Sequence, residues 1–411
     1  MREVFVSGAG AVTCLGNDLR STWEGIRRGA TGIRYVTGEA LRGCHTTFAG
    51  QVRAPWDTQR KHVGDRAVEF ALAATREALA DAGLEPSYLS TLGHDAAVVV
   101  GSSKGSVLRF AQIHEHWLSE GRRPSGLPPD FWQTVPAHAA ALAIAHRFRV
   151  SGPRIAPVAA CATGAVAVVQ AAHLIADGRA ELVICGAADA SIHPLWVGAF
   201  EQMGVLAPPY RGDPARACRP FDAERAGFAL GEGAGILVLE SAESLARRGA
   251  AARAAITGAA LGCDPAGLAA MDPAAESLIQ VMATALGRAG LAGDDLSLIH
   301  AHGTATAAND AAEAVAIRAV ASGSHGRPCP VTGFKGAIGH LLGASGSAEL
   351  ALCVEMLRRQ LILPTANHDR PGADTDGFQI VRRPVERRLD HILKVSLGFG
   401  GHIAALVVSR A

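Results

Sequence analysis

The feature that most limits how this chain can fold is a repeat of itself. Residues 77–84 read Glu-Ala-Leu-Ala-Asp-Ala-Gly-Leu, and residues 285–291 read Ala-Leu-Gly-Arg-Ala-Gly-Leu. Each segment reaches a Leu-Ser pair, Leu89-Ser90 and Leu296-Ser297, then an apolar strand and a glycine turn. The opening stretch 5–9 is echoed at 255–259. Such a chain is expected to build two halves of one design, residues 1–250 and 251–411.

Within each half, short apolar runs alternate with long amphipathic ones, the pattern of an α/β layered fold. Strands are expected over 4–7, 96–100, 155–159, 182–186 and 236–239, then over 254–258, 296–300, 330–332, 392–397 and 403–408. Helices are expected over 66–82, 165–176, 274–289, 311–320 and 347–360. By this register the loop after the third strand of the first half, which holds Cys161, corresponds to the loop 333–340 of the second.

The totals remove several function classes. Lys and Arg number 39 against 38 Asp and Glu, so no basic field points to nucleic acid. The eight cysteines include no C-x-x-C pair, which argues against a disulfide framework and structural zinc. No apolar run reaches membrane-spanning length, and the N-terminus enters a strand directly. A soluble cytoplasmic protein without a membrane partner is the expectation.

Cys161 follows a short apolar run and precedes a helix of small and branched apolar residues. Backbone N–H groups at a helix start favour a thiolate over a thiol. Ala160, Ala162 and Gly164 leave room for a substrate at the sulfur. Three further stretches gather chemistry: His-Gly-Thr-x-Thr at 302–306, Lys-x-x-x-x-His-x-x-Gly-Ala at 335–344, and Gly-Phe-Gly-Gly at 398–401. Their glycines let backbone N–H groups approach a ligand. A nucleophile, two histidines, a lysine and such donors suit acyl transfer. Glu349 lies in an apolar helix, where an unpaired carboxylate is costly, so a partner such as Lys335 is expected.

Together, and in this order along the whole chain, these stretches resemble the elongating Cys-His-His β-ketoacyl-acyl carrier protein synthases. Arg-Pro-Phe-Asp at 219–222 and Gly-Glu-Gly-Ala-Gly at 231–235 add to the match. The resemblance implies a thiolase-like fold with two pseudo-symmetric halves in α-β-α-β-α layers. It implies a decarboxylative Claisen condensation of an acyl-Cys161 thioester with a malonyl thioester, with no metal or redox cofactor. Substrates would ride on the phosphopantetheine arm of an acyl carrier protein. His302 and His340 would bind the malonyl carbonyl and stabilise the enolate. The N–H groups of Cys161 and Phe399 would form an oxyanion hole, Phe399 would gate the acyl pocket, and Phe228 and Phe399 would line the acyl or malonyl pocket. Lys335 and Glu349 would organise the site. Thr304 and Thr306 would contact the pantetheine arm. The strand before the nucleophile would lie at a two-fold subunit contact, giving a homodimer or a heterodimer with a chain-length-factor-like subunit.

The chain departs from the family pattern at three places. His300 replaces Asn or Glu, the stretch 264–269 lacks a usual His and Thr, and His402-Ile403 replaces Thr-Asn. These lean toward polyketide or polyene assembly over fatty-acid elongation. Other readings compete at single sites. His300-x-His302 could be a metal pair, though no carboxylate cluster accompanies it. Gly8-Ala9-Gly10 mimics a dinucleotide turn, but Thr13 occupies the third glycine position. Asp310 suits a helix cap. Arg60, Lys61 and Arg66 suit either a solvated face or docking of an acidic carrier protein. A non-catalytic partner subunit is the rival function class, and Cys161 argues against it.

Overall fold

The structure, a computed structural model, describes residues 2–37, 41–53, 65–321 and 328–411. Its strands are β1 (Val4–Val12), β2 (Ala96–Gly101), β3 (Arg154–Ile155), β4 (Leu182–Asp189), β5 (Gly233–Ser241), β6 (Ala254–Cys263), β7 (Leu298–His300), β8 (Cys329–Thr332), β9 (Phe378–Ile380), β10 (His391–Gly398) and β11 (His402–Ser409). They join into one sheet in the order β9-β8-β7-β10-β11-β6-β1-β5-β4-β2-β3. Counted outward from the β1–β6 junction, each side runs first, fifth, fourth, second, third strand of its own half. The second half adds β9 at its edge.

Helices cover this sheet in layers because its strands are apolar on both faces. The helices that matter here are α1 (Arg66–Asp81), α2 (Ala139–Phe148), α3 (Thr163–Ala176), α4 (Pro194–Gln202), α5 (Glu276–Ala289), α6 (Ala307–Ala321) and α7 (Ser345–Arg359). In β2, Ala97 and Val99 pack inward on a central core that includes α3 and α7. Ala96, Val98 and Val100 pack on the opposite side with α1 and α2. In β11, Ala404, Leu406 and Val408 face the same central helices, while Ile403, Ala405 and Val407 join α5 and α6. Alternation by two therefore sorts each strand between layers. The two halves of the one sheet thus lie on either side of α3 and α7, giving layers of helix, sheet, helix, sheet, helix.

The sequence echo has a physical cause. A Cβ on Gly8 would stand 2.1 Å from the Ala78 carbonyl oxygen, and a Cβ on Gly258 would stand 2.1 Å from that of Ala285. Each half thus seats the helix backbone directly on the opening strand, which only glycine permits.

One expected strand is cut short. Over 155–159 only Ile155 is paired, as the end of β3, and the chain then leaves the sheet toward a 3-10 turn at Ala160–Ala162. Pro157 has no N–H to give a ladder, so it ends the strand. Several elements are not among those expected at all: strand β9 and the helices Leu19–Arg27, Val107–Ser119, α2 and α4. Others differ at their ends: α6 begins at Ala307 and α7 at Ser345, earlier than the expected 311 and 347.

Candidate active site

Cys161 sits on the 3-10 turn that opens into α3. The turn is held open by unusual backbone: Ala160 adopts φ +45°, a left-handed conformation that costs a residue with a Cβ about 1–2 kcal/mol. Thr163 repays part of this by clamping the turn, its Oγ1 accepting from Ala159 N at 2.9 Å and donating to Ala160 O at 2.7 Å. The hairpin between β10 and β11 closes over the nucleophile. A Cβ on Gly398 would lie 3.1 Å from Cys161 N, and Gly400 and Gly401 take φ of 85° and 79° to turn the chain there. This brings the Phe399 N–H to the sulfur, where its hydrogen bond favours the ionised form.

The expectation of a resting thiolate is corrected. Burial pushes the Cys161 thiol up to about 11, against the opposing pull of Lys104, Lys335 and the Phe399 N–H. A helix start favours negative charge, but here desolvation of the sulfur wins.

The two histidines come from corresponding loops of the second half, after β7 and after β8. Their rings stand 5.3 Å apart at 81°. Leu342 N donates to His340 Nδ1 at 3.2 Å, so that nitrogen is an acceptor and the proton is on Nε2. Ser345 Oγ, 2.9 Å from the same Nδ1, then donates as well. Phe228 packs edge-on to His340 at 5.0 Å. Burial, reinforced by Lys335, holds both histidines well below the ordinary imidazole range, so both are neutral at pH 7.

Beneath them lies a buried chain of charges. Lys335 Nζ donates to Glu349 Oε1 at 2.8 Å and to the His302 carbonyl, and Lys394 Nζ pairs with Glu349 Oε2 at 3.0 Å. Burial alone would raise the Glu349 carboxyl, but the two ammonium groups bring it down to about 2. Lys394 is itself lowered, chiefly by burial. Glu313, on α6, accepts from the N–H groups of His302 and Gly303, both at 2.6 Å, and fixes that loop from the other side. Burial, with Asp310 beside it, raises Glu313 to about 7.

These groups meet at a cavity of about 140 Å³ lined by Cys161, His302, His340, Phe228, Phe399, Thr304 and Thr306, among others. The Thr304 and Thr306 hydroxyls are 2.8 Å apart. Lys335 and Glu349 do not line the cavity; Lys335 reaches it through the His302 carbonyl, and Glu349 holds Lys335. Arg66 is committed elsewhere: it pairs with buried Glu232 and donates to Val52 O at 3.0 Å. Arg60 and Lys61 lie outside the described residues. Asp310 accepts from Ala305 N at 3.1 Å and Phe221 N at 2.7 Å, tying two loops to the start of α6. His300 is fully buried against Phe334, ring centroids 4.4 Å apart, and burial pushes it down to about 3. Among the described residues no group of three or more His, Cys, Asp or Glu is placed to hold a metal ion. Nor is any helix among them long and apolar enough to cross a membrane.

Sequence reasoning missed Lys394 and Glu313. Lys394 alternates with apolar neighbours in β10 and so reads as a solvent-facing residue. Its face is in fact the central layer. The signal was Glu349, whose two oxygens call for more than one partner.

Comparison with known proteins agrees with this geometry. Residues 1–244 match the β-ketoacyl synthase N-terminal domain and residues 253–369 the β-ketoacyl synthase C-terminal domain. The chain is 34% identical to a 3-oxoacyl-[acyl-carrier-protein] synthase 2 of Synechocystis, over 100% of this chain and 98% of that protein. It is 32% identical to the tetracenomycin polyketide synthase ketoacyl synthase alpha subunit of Streptomyces glaucescens, over 100% and 97%. A solved type II polyketide ketosynthase, bound to its acyl-carrier protein and a hexaketide, superposes with a TM-score of 0.90 at 28% identity, over 100% of this chain and 99% of that one. The ishigamide ketosynthase/chain length factor superposes at 0.89 and 29%, with the same coverage. The strained turn beneath Cys161, the paired neutral histidines and the thiolase-like layers thus have one explanation: the chain belongs to the β-ketoacyl synthase family and is an acyl-transferring ketosynthase.

Proposed function

We propose that this enzyme joins an acyl group held on Cys161 to a malonyl group delivered by an acyl carrier protein. In the first half-reaction the Cys161 sulfur forms a thioester as the carrier's carbon–sulfur bond breaks, and the thiol proton leaves with the carrier sulfur. In the second, malonyl thioester loses carbon dioxide, and the electron pair of that bond becomes an enolate. His302 and His340 hold the enolate oxygen. The enolate carbon attacks the acyl carbonyl, Cys161 departs as thiolate, and it regains one proton. The N–H groups of Cys161 and Phe399 stabilise the tetrahedral oxyanion.

The carrying observation is the fixed Nε2–H of His340 beside a second neutral imidazole, at one cavity with Cys161. Neutral donors bind a developing enolate without presenting a proton acidic enough to quench it. Lys335 and Glu349 serve by holding the His302 backbone in place. Thr304 and Thr306, on the cavity wall, contact the pantetheine arm, and Phe399 gates the acyl side.

Two features support a dimer. At the sheet edge beyond β3, Ile155 is 36% exposed and Val158 54% exposed, an apolar margin that a second subunit would cover. The partner is a second copy or a similar chain lacking the nucleophile, and one relative in fold is such a ketosynthase/chain length factor. The division at residue 250, between β5 and β6, separates the half that supplies the thiol from the half that supplies the histidines. The reading places the enzyme in the cytoplasm, in polyketide or fatty-acid assembly.

The test is to supply acyl carrier and labelled malonyl carrier and follow release of carbon dioxide and formation of a β-ketoacyl product. The wild type makes both. An acyl adduct of undiminished yield on Cys161→Ala, by intact-protein mass spectrometry, would overturn the assignment.

A further inference from the structure

The loop after β2 has no role in the chemistry above, yet it runs beside the nucleophile. β2 and β3 are parallel neighbours, with Val98 opposite Arg154 and Val99 opposite Ile155, so their chains leave the sheet at the same end. A Cβ on Gly101 would stand 2.3 Å from Pro157 O and 2.5 Å from Thr163 Cγ2, both in the segment that carries Cys161. By strand order this loop is the counterpart of the one that holds His302.

Lys104 sits in it. Its Nζ donates to Ser103 Oγ at 2.6 Å and to Ser191 Oγ at 3.2 Å, and lies 5.3 Å from the ring centre of Trp196 on α4. An ammonium has three N–H donors, so one remains. Among the described residues no carboxylate lies within ion-pairing distance of Lys104. Asp189 is one hydroxyl away, through Ser103. Trp196 Nε1 is buried and has no acceptor. Lys104 is half-buried and its third donor is not taken by the protein, and the indole N–H beside it is buried without an acceptor. Cys161 shares one apolar cluster with Ile192, Val197, Phe200 and Phe228, and Ile192 and Val197 are the chain neighbours of Ser191 and Trp196. Among charged groups Lys104 exerts the largest pull on the Cys161 thiol.

We propose that Lys104 and Trp196 select the acyl group on Cys161, receiving a carboxylate at its far end. The proposal rests on the ketosynthase reading and adds the substrate class. An alkyl end would strip water from the ammonium and return no hydrogen bond. A carboxylate accepts from both Lys104 Nζ and Trp196 Nε1, and hydrogen bonds between charged partners are the strong ones.

The test measures loading of Cys161 on the full chain by intact-protein mass spectrometry. Pantetheine thioesters of glutaryl, adipyl, hexanoyl and acetyl groups are compared. Wild type is expected to load adipyl faster than hexanoyl by about tenfold or more. Lys104→Met should reverse that order, Lys104→Arg should keep it, and Trp196→Phe should narrow it. Acetyl, too short to reach Lys104, is the reference: each rate is divided by the same protein's acetyl rate, because Lys104→Met also removes the ammonium's pull on the Cys161 thiol. Measurable acetyl loading with hexanoyl preferred over adipyl by wild type, or a normalised ratio unmoved in Lys104→Met, would overturn the proposal alone. So would Lys104→Met that splits a dimer at unchanged ratio, since the ammonium would then serve a subunit contact. Absence of any acetyl loading on wild type would overturn the ketosynthase reading with it.

Discussion

The two halves share a strand order but not a chemistry. The first half brings a thiol on an apolar, strained turn, and desolvation governs it: the sulfur is pushed up to about 11. The second half brings His300, His302, Lys335, His340, Glu349 and Lys394, all buried: burial holds the three imidazoles neutral and lowers Lys394, while at Glu349 the two ammonium groups overcome burial. Their corresponding loops reach one cavity from opposite sides. The frame thus occurs twice, with the nucleophile on one half and the paired histidines and buried ion cluster on the other.

Breaking the ionic side should have the largest effect on the fold. Lys335→Met leaves Glu349 with Lys394 alone and frees the His302 carbonyl. Loss of one partner from a buried pair costs about 3–5 kcal/mol, to be read as a lower midpoint in urea unfolding. Lys335→Met together with Glu349→Leu should recover part of the loss, if pairing and not cavity shape is the cause. The histidines come next. His302→Ala and His340→Ala should each slow decarboxylation by about 100-fold to 1000-fold while Cys161 still loads acyl groups. Equal slowing of both half-reactions would show that the division between halves is less complete than drawn.

The thiol side is sharpened by pH. With a thiol near 11, the rate of Cys161 carbamidomethylation by iodoacetamide should rise about tenfold per pH unit from 7 to 10. A plateau below pH 8 would mean that the helix start overcomes burial after all. The smallest expected effect is at Glu313. Its folded-state value, about 7, lies above the ordinary 4.5, so the folded state holds its proton more tightly than the unfolded chain. That contributes stability at low pH, lost as pH rises from about 4.5 through 7. Glu313→Gln, which keeps the shape, should flatten the stability–pH curve in that window.

Much of this was legible beforehand, for reasons that can be named. The repeat was readable because Gly8 and Gly258 each lie under a helix carbonyl, which fixes residue types at both contacts. The site motifs were readable because close backbone approach and buried charge restrict composition. The end of β3 was not, since an apolar run hides Pro157 unless donors are counted. Lys394 was not, because period two assigns a face and not what covers it. The state of Cys161 was not, because a helix start is a local signal and desolvation is a tertiary one.

The central helices carry a further consequence. A Cβ on Gly164 would stand 2.7 Å from Ser347 N, and a Cβ on Gly346 would stand 2.7 Å from Ala165 N. The starts of α3 and α7 are therefore interlocked reciprocally across the two halves. Neither start can fray by itself, because each is the other's cap stone. Amide hydrogens in these first turns should then exchange only through opening of the whole molecule. The nucleophile would be lost in the same step as the fold, so residual activity in denaturant would count intact molecules and not partly open ones.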